Sequence, residues 1–450
     1  MSYFTTALSA CEYRFLLSGG SGKRLWPLSN NVRSKQFIKF FKTEDGRHES
    51  MVQRVYRQIR KAAPLANITI AAPKSQISSI HSQLGEGVSI SVEPCRRDTF
   101  PAIALASAYL RDIRNMAEDE VTVVCPVDPF VDDVYFLKLA EMSEQAAKGE
   151  ANLVLMGIEP TYPSEKYGYI IPKTNESVSG VLSFQEKPDV KTAETYIRQG
   201  ALWNGGVFAY RLGYVLKKAH ELLNFTDYHD LLSKYESANR ISFDYAVVEK
   251  ESNIQVVRYM GQWKDLGTWN TLTESMNESS VGHVIKTGSC TNVHVINELD
   301  VPVLAMGLRD VVISAGPEGI LVSDKEQSSY IKPFVDKLDQ QVMYAEKSWG
   351  SYRVLDVGCE SLTIKVVLRP GQRMNYHRHK YRDEKWTVIS GYGHAIINET
   401  VQAIHAGDSI EMPAGCRHTV VAETALELIE VQLGQEISVQ DKEKHPFPQL

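Results

Sequence analysis

The sequence predicts an α/β domain built on a doubly wound sheet, followed by an all-β carboxyl-terminal half. Three observations carry this: short apolar segments alternate with helix-length stretches, a glycine-rich loop follows the first apolar segment, and the helical period disappears after about residue 280. Residues 14–17, 68–72, 88–92, 121–125 and 153–158 read as strands, and 51–62, 100–116 and 134–149 as helices, the middle one apolar on one face. Such alternation predicts a parallel sheet with ligands at the carboxyl ends of its strands. Residues 290–296, 303–306, 311–313 and 319–322 read as short β segments, and the polar, helix-friendly stretch 332–346 as a connector. After Trp349, repeated short strands with Gly-Pro punctuation predict a small barrel or sandwich.

The remaining composition narrows the function classes. At 450 residues the chain is long enough for two or three domains, and 43% hydrophobic with 23% charged residues describes a globular protein. A net charge of −6 and the lack of a basic stripe argue against nucleic acid, so an anionic substrate must be held by local cations. Cys11, Cys95, Cys125, Cys290, Cys359 and Cys416 form no C-x-x-C pair, which reads as reduced thiols rather than a disulfide frame or zinc ribbon. The amino-terminal stretch has neither the basic region nor the apolar core of a secretory signal, and no apolar run approaches the ~20 residues of a membrane span. A cytoplasmic protein without membrane or nucleic-acid partners is expected.

The chemistry begins at Phe15-Leu16-Leu17-Ser18-Gly19-Gly20-Ser21-Gly22-Lys23-Arg24-Leu25-Trp26-Pro27-Leu28. Glycines let backbone N–H groups approach a ligand closely, and Lys23, Arg24 and Lys35 at fixed offsets supply cations; together they make a place for polyphosphate. Arg24 after Gly22-Lys23 breaks the Walker pattern, and Leu25 stands where a dinucleotide loop has its third glycine.

This loop resembles that of the sugar-1-phosphate nucleotidyltransferases, in the R-L-W-P-L-S and K-Q-F version of the mannose-1-phosphate guanylyltransferases. Further segments match in order: Glu93-Pro94-Cys95-Arg96-Arg97-Asp98-Thr99, Pro126-Val127-Asp128, Tyr167-Gly168-Tyr169-Ile170, Phe184-Gln185-Glu186-Lys187-Pro188, Trp203-Asn204-Gly205-Gly206-Val207-Phe208, Phe243-Asp244-Tyr245-Ala246 and Trp263-Lys264-Asp265-Leu266-Gly267-Thr268-Trp269. The resemblance implies a Rossmann-like, glycosyltransferase-A-like mixed sheet over residues 1–275 and a short left-handed β-helix segment over 276–332.

Joining a nucleotide to a sugar phosphate needs one phosphate oxygen to attack another phosphorus, with every participant anionic, so positioning and charge neutralisation dominate. The resemblance assigns Mg²⁺ to Asp128 and Asp265, the triphosphate to Arg24, and the α-phosphate to Lys35. Ser18, Gly19, Gly20, Gly22, Lys23, Glu93, Arg97 and Asp98 fall to the nucleotide, and Gly168, Glu186, Lys187, Asn204 and Asp244 to the sugar phosphate. The implied substrates are GTP and mannose 1-phosphate, and a homodimer is expected. Three departures stand out: Arg33-Ser34 where the family has proline before the lysine, Arg96-Arg97-Asp98-Thr99 for G-R-N-T, and Val127-Asp128-Pro129 for S-D-H. A carboxylate at Asp98 would suit the N1–H and N2–H₂ edge of guanine.

The carboxyl-terminal half carries Gly371, His377-Arg378-His379, Glu384 and Gly391, then Gly407, Pro413-Ala414-Gly415 and His418, which fits both halves of the cupin motif. Residues two apart in a strand share a face, so His377 and His379 point together, and Glu384 and His418 complete a three-His, one-carboxylate set for a divalent transition metal: Zn, Mn, Co, Ni or Fe. Trp349-Gly350-Ser351-Tyr352, Glu384-Lys385-Trp386 and Ile429-Glu430-Val431-Gln432-Leu433-Gly434 resemble the phosphomannose isomerase barrels fused to such transferases. The barrel is expected over 347–450, after a linker at 333–346. Here His377 replaces the usual Gln ligand, and the tail after Gly434 lacks the acidic and Y-G-R segments. The open alternatives are another triphosphate or sugar 1-phosphate (a heptose or deoxyhexose phosphate), a barrel without isomerase activity or one that serves dimer formation, an iron-type oxygenase, and a catalytically silent nucleotide-sugar sensor.

Overall fold

A computed structural model of the chain describes residues 13–17, 23–30, 32–338 and 341–448. The chain forms two compact units, one comprising the strand Tyr13–Leu17 with residues 39–77 and 87–267, the other 21–38, 78–86 and 268–450.

A nine-stranded sheet organises the first unit. Its spatial order is Ser89–Glu93, Asn67–Pro73, Tyr13–Leu17, Val121–Pro126, Leu202–Arg211, Leu153–Ile158, Ile254–Tyr259, Val178–Gln185 and Tyr169–Pro172. The first four run parallel, as the alternation of apolar segments and helices predicts. Beyond them the sheet is mixed, as the resemblance to the nucleotidyltransferases implies. Leu202–Arg211 inserts antiparallel to both Val121–Pro126 and Leu153–Ile158, and Leu153–Ile158 then pairs in parallel with Ile254–Tyr259. The inserted strand carries a register shift between Asn204 and Phe208 around Gly205-Gly206, with Gly206 at φ 68, a conformation that suits glycine.

Helix limits follow local chemistry. The expected helix at 100–116 is Thr99–Asp112, since Asn115 at φ 54 turns the chain out of the helical region. Its face of Phe100, Ile103, Leu105 and Leu110 packs into the core with Leu155, Phe208 and Phe243. Helix Asp133–Lys148 starts at Asp132, whose Oδ1 accepts the amides of Val134 and Tyr135, and stops at Gly149 with φ 72. The same Asp132 carboxylate accepts the Tyr259 hydroxyl at 2.9 Å and the Gln262 amide at 3.1 Å, fixing the start of the segment that leads to Asp265.

In the second unit, Ser280–Val281, His294–Asn297 and Val311–Gly316 stack as parallel rungs beside the parallel pair Val284–Lys286 and Val303–Ala305. Val293, Val295, Ala305 and Ile313 fill the space between them. The stretch 332–346 contains helix Lys332–Val335 and then enters a sheet at strand Tyr344–Lys347. That sheet orders Tyr344–Lys347, Gly350–Val357, Ser361–Leu368, Leu426–Leu433, Asp383–Ser390 and Ser409–Met412. A second sheet orders Thr400–His405, Tyr392–Ile397, His418–Ala422, His377–His379 and Lys442–Lys444. Trp386, Val388, Leu428 and Val420 pack in the core they share. Among the described residues no helix is long and apolar enough to cross a membrane.

Asp132→Ala removes a helix cap and leaves the Tyr259 hydroxyl with one acceptor fewer. It should lower the free energy of unfolding by about 2–3 kcal/mol in chemical denaturation, and Asp132→Asn, which keeps an accepting oxygen, by less.

Candidate active sites

In the first unit, two expected magnesium ligands are brought together by a short ribbon. Pro129–Val131 pairs antiparallel with Trp263–Asp265, and the register sets Asp265 opposite Pro129, the residue that follows Asp128. Both carboxylates are half-buried. The hydroxyl of Tyr167 registers both: burial, then the charge of Asp265 and more weakly that of Asp128, hold it above the ordinary tyrosine range. Tyr167 lies against Trp203 and Trp263, with ring centroids 4.8 and 5.3 Å away, and Tyr162 packs on Trp203 at 5.1 Å. These aromatic neighbours were not singled out in the sequence, although each belongs to or borders a matched segment.

The five sugar-phosphate candidates form one connected group. Asn204 donates from Nδ2 to Asp244 at 2.6 Å, accepts the Gly206 amide at 3.1 Å, and donates its own amide to the Gly168 carbonyl at 2.8 Å. Gly168 in turn abuts Glu186: a Cβ there would stand 2.5 Å from Glu186 Oε2. Glu186 is buried and pairs through Oε1 with Lys187 Nζ at 2.7 Å. Burial and the Glu186 charge push Asp244 up to about 6. A carboxylate, a second carboxylate near neutrality, an amide and an ammonium therefore line one place, a donor and acceptor set suited to hydroxyls beside a phosphate.

The nucleotide candidates divide. Glu93 is buried, accepts the Tyr235 hydroxyl at 3.0 Å, and is raised to about 7 by burial. Arg97 donates to the Glu236 carbonyl. Asp98 is exposed at φ 72 and caps helix Thr99–Asp112 by accepting the Thr99 amide at 2.8 Å. Tyr235 was missed because its partner Glu93 lies far away in the chain. Ser18, Gly19, Gly20, Gly22 and the Lys23 side chain lie outside the described residues. Arg24 and Lys35 belong to the second unit, Arg24 exposed and Lys35 half-buried in the short turn Lys35–Phe37.

The second unit holds the clearest donor set. His377, His379, Glu384 and His418 are each at most 3% exposed, and their ligand atoms all lie within 4.8 Å of one another. Strand His377–His379 alternates as its period requires, turning both histidines inward with Arg378 half-buried between them. Each imidazole is oriented by a carbonyl at Nδ1: Asn375 for His377 at 2.6 Å, Asp441 for His379 at 3.3 Å, and Cys416 for His418 at 3.0 Å. That leaves three Nε2 atoms for the centre. His379 Nε2 lies 3.0 Å from Glu384 Oε1 and His418 Nε2 lies 3.0 Å from Glu384 Oε2; the latter two atoms are buried and close together without hydrogen-bond geometry, and neither has another partner among the described residues. A divalent first-row cation fits this arrangement, since it would satisfy those orphaned atoms with nitrogen and carboxylate ligands.

Cations surround this centre, and most of them were not foreseen. Arg382 is buried, donating to Glu384 Oε1 at 3.2 Å and to His379 Nε2 at 3.2 Å. The tail after Gly434 returns as strand Lys442–Lys444, pairing Lys442 with His379 and Lys444 with His377. Cross-strand partners share a face, so both lysines stand on the side of the histidines. Lys442 is solvent-reachable yet closely surrounded, and this desolvation holds its ammonium below the usual range. Lys347 is lowered as well, by burial and then by the charge of Lys444. Glu430, buried and hydrogen-bonded to Gln432 at 2.5 Å, is pushed above the usual carboxylate range by burial and the charge of Glu384.

Comparison with known proteins accords with both halves. The sequence model of the nucleotidyl transferase family matches residues 14–280, and that of the mannose-6-phosphate isomerase C-terminal family matches 336–445. The alginate biosynthesis protein AlgA of Pseudomonas putida is 30% identical over 470 aligned positions, covering 95% of this chain and 94% of that protein. A mannose-1-phosphate guanylyltransferase of Sinorhizobium fredii is 29% identical, covering 95% of this chain and 89% of its own. A solved structure of mannose-1-phosphate geranyltransferase from Thermus thermophilus superposes with a TM-score of 0.60 at 28% identity, over 72% of this chain and 98% of that one. With the loop, the paired carboxylates and the buried His/Glu barrel on one chain, this protein belongs to the mannose-1-phosphate guanylyltransferase family of nucleotidyltransferases, in the form that carries a C-terminal isomerase-like cupin domain.

Proposed function

We propose that the protein transfers a guanylyl group from GTP to mannose 1-phosphate, giving GDP-mannose and pyrophosphate. The observation that carries this is the ribbon register that gathers Asp128 and Asp265, beside the connected group Gly168, Glu186, Lys187, Asn204 and Asp244. An oxygen of the sugar phosphate attacks the α-phosphorus as the bond to the β-phosphate oxygen breaks. Magnesium, when held by the two carboxylates and the phosphates, supplies neutralisation of that anionic assembly. Lys187 grips the sugar phosphate, and Glu186, Asn204 and Asp244 take its hydroxyls. Arg24 supports the leaving pyrophosphate, Lys35 steadies the α-phosphate, and the backbone from Ser18 to Lys23 receives the triphosphate. Glu93, Arg97 and Asp98 serve the base. The reading extends to a cytoplasmic homodimer with boundaries near residues 275, 332 and 346.

A second activity, aldose–ketose interconversion of mannose 6-phosphate and fructose 6-phosphate, is proposed for the barrel. It is favoured by Lys442 and Lys444 lying cross-strand from the metal-binding histidines. Cations there suit a phosphorylated sugar, which needs positive charge next to a metal that would polarise its carbonyl.

Purified protein with Mg²⁺ and GTP should release pyrophosphate only when mannose 1-phosphate is present, and Asp128→Asn or Asp265→Asn should lower kcat at least ~100-fold with the fold intact. Comparable turnover with other triphosphates would replace the guanylyl assignment. In the isomerase assay, Lys442→Ala with Lys444→Ala should raise KM for mannose 6-phosphate while metal content holds, and His377→Ala should lose the metal.

Asp244 gives a pH signature. Its folded value of about 6 exceeds the ordinary 3.8, so the folded state holds the proton more tightly than the unfolded chain. Stability from this group is full below about pH 4 and falls as pH rises towards 6, by on the order of 2 kcal/mol. Asp244→Asn should lack that decline when unfolding is compared at pH 4.5 and 7.5.

A further inference from the structure

Arg33 and Asn30 do not appear among the residues assigned to either reaction, yet the chain around them is held with unusual thoroughness. Asn30 closes a tight turn by accepting the amides of Val32 and Arg33 at 2.8 and 2.6 Å, and its own amide donates to the Arg33 carbonyl at 2.9 Å. Its Nδ2 donates to Glu318 Oε1 at 2.7 Å and to the Tyr344 carbonyl at 2.9 Å. Glu318 Oε1 also accepts the amides of Met343 and Tyr344, at 2.9 and 3.1 Å. Arg33 is 7% exposed, forks onto both oxygens of Glu298 at 2.7 and 2.9 Å, and lies over the Tyr344 ring at 5.1 Å. Beyond Lys35, Gln36 and Phe37 are buried, and Gln83 Nε2 joins the Phe37 carbonyl at 2.8 Å to Glu346 Oε2 at 2.9 Å. All these partners lie in the second unit: Gln83 on helix Ile77–Leu84, and those from Glu298 to Glu346 along the β-rung segment and into strand Tyr344–Lys347.

Between these anchors lies Ser34, at φ −75 and ψ 160, directly before Lys35. A proline there would fix φ by its ring; with a serine the restraint comes from the surroundings. Ser34 is buried, its carbonyl accepts the Phe37 amide at 3.0 Å, the Lys35 carbonyl accepts the Ile38 amide at 3.2 Å, and the flanking anchors hold the turn from both sides. A bidentate guanidinium–carboxylate pair with its guanidinium buried and its carboxylate half-buried is well suited to this, being directional as well as strong. Its fork fixes the Arg33 backbone, and the buried Gln36 and Phe37 fix the far side.

We propose that the Arg33–Glu298 pair, with Tyr344 stacked on it, is a positioning clamp that the carboxyl-terminal half applies to Lys35. The clamp rests on the reading above that Lys35 contacts the α-phosphate. It makes guanylyl transfer dependent on residues 298–346, which touch no substrate in that reading. Removing the pair loosens the backbone on one side of Lys35, and misplacement of a charge-bearing group by about 1 Å costs on the order of 100-fold in rate.

The test is a double-mutant cycle in the full-length protein, with pyrophosphate release as readout and barrel metal content with thermal melting as checks of the fold. Arg33→Met should lower kcat roughly 10- to 100-fold with KM for GTP changed far less. In a Lys35→Ala background the same change should cost little more, because a clamp acting through Lys35 has nothing left to position. Arg33→Glu combined with Glu298→Arg should recover turnover over Arg33→Glu alone. If Arg33→Met does not fold, Glu298→Gln weakens the pair from the other side within the same cycle. Losses that multiply in the Lys35→Ala background, or no loss in either clamp variant, overturn the clamp. Unchanged turnover in Lys35→Ala alone overturns the role given to Lys35, a distinct result.

Discussion

A three-residue ladder, Pro129–Val131 on Trp263–Asp265, is the constraint on which the proposed transfer chemistry depends. Two carboxylates brought to one place repel each other, and a fold that imposes such a meeting through backbone register leaves them a shared need for cationic charge. The ladder is supported in turn from Asp132, one residue past it, which caps helix Asp133–Lys148 and also takes the Tyr259 hydroxyl and the Gln262 amide. The ordinary work of starting a helix thus also aligns the strand that delivers Asp265. Tyr167, packed against Trp263 and feeling both carboxylates, closes this corner on its apolar side.

The barrel reaches its chemistry by a different route. The three histidines take their orientation from main-chain carbonyls, so no acidic side chain is spent on the Nδ1 atoms. One of those carbonyls belongs to Asp441, whose side chain also accepts the amides of Lys380 and Tyr381, at 2.8 and 3.2 Å. The segment after Gly434 is therefore part of the candidate metal site in two ways. It sets the His379 ring through Asp441, and through the next residues it lays Lys442 and Lys444 across from the ligands. This segment packs against the strand that carries His377 and His379.

What could be read from the sequence follows the range of the interactions involved. The strands at 68–72, 121–125 and 153–158 were legible because buried parallel strands read as unbroken apolar runs. Leu202–Arg211 was visible as a motif but not as a strand, since Gly205-Gly206 breaks the pattern where the ladder slips. His377, His379, Glu384 and His418 were legible from spacing on two strands, with the glycines marking the turns. Lys442 and Lys444 were not, because a polar run of alternating charge reads as coil until a distant strand gives it a partner. Arg33 failed for the same reason: its carboxylate lies in a segment whose own pattern speaks only of β rungs. The extent of the helix at 100–116 was overread because Asn115 ends it through a backbone conformation rather than a change of polarity.

A chain of net charge −6 that must hold several phosphates has to ration its cations by place rather than by number. The pairings differ in kind. Lys187 is matched to Glu186 in a partly exposed contact that a phosphate can enter, because the ammonium has donors to spare. Arg33 is matched to Glu298 with both forks used and with little exposure, a pairing that fixes backbone and leaves little capacity for ligand. At the barrel, burial and then the charge of Lys444 hold Lys347 low, and burial holds Lys442 low against the charges of Glu430 and Glu384, with Lys347 a smaller repulsion. Gathering like charges is unfavourable, and it is relieved most directly by an anion that meets them together. The three arrangements sort the basic residues by availability. The paired and exposed lysine can exchange partners, the buried arginine serves structure, and the barrel lysines would carry the charge that a phosphate in the proposed second activity neutralises.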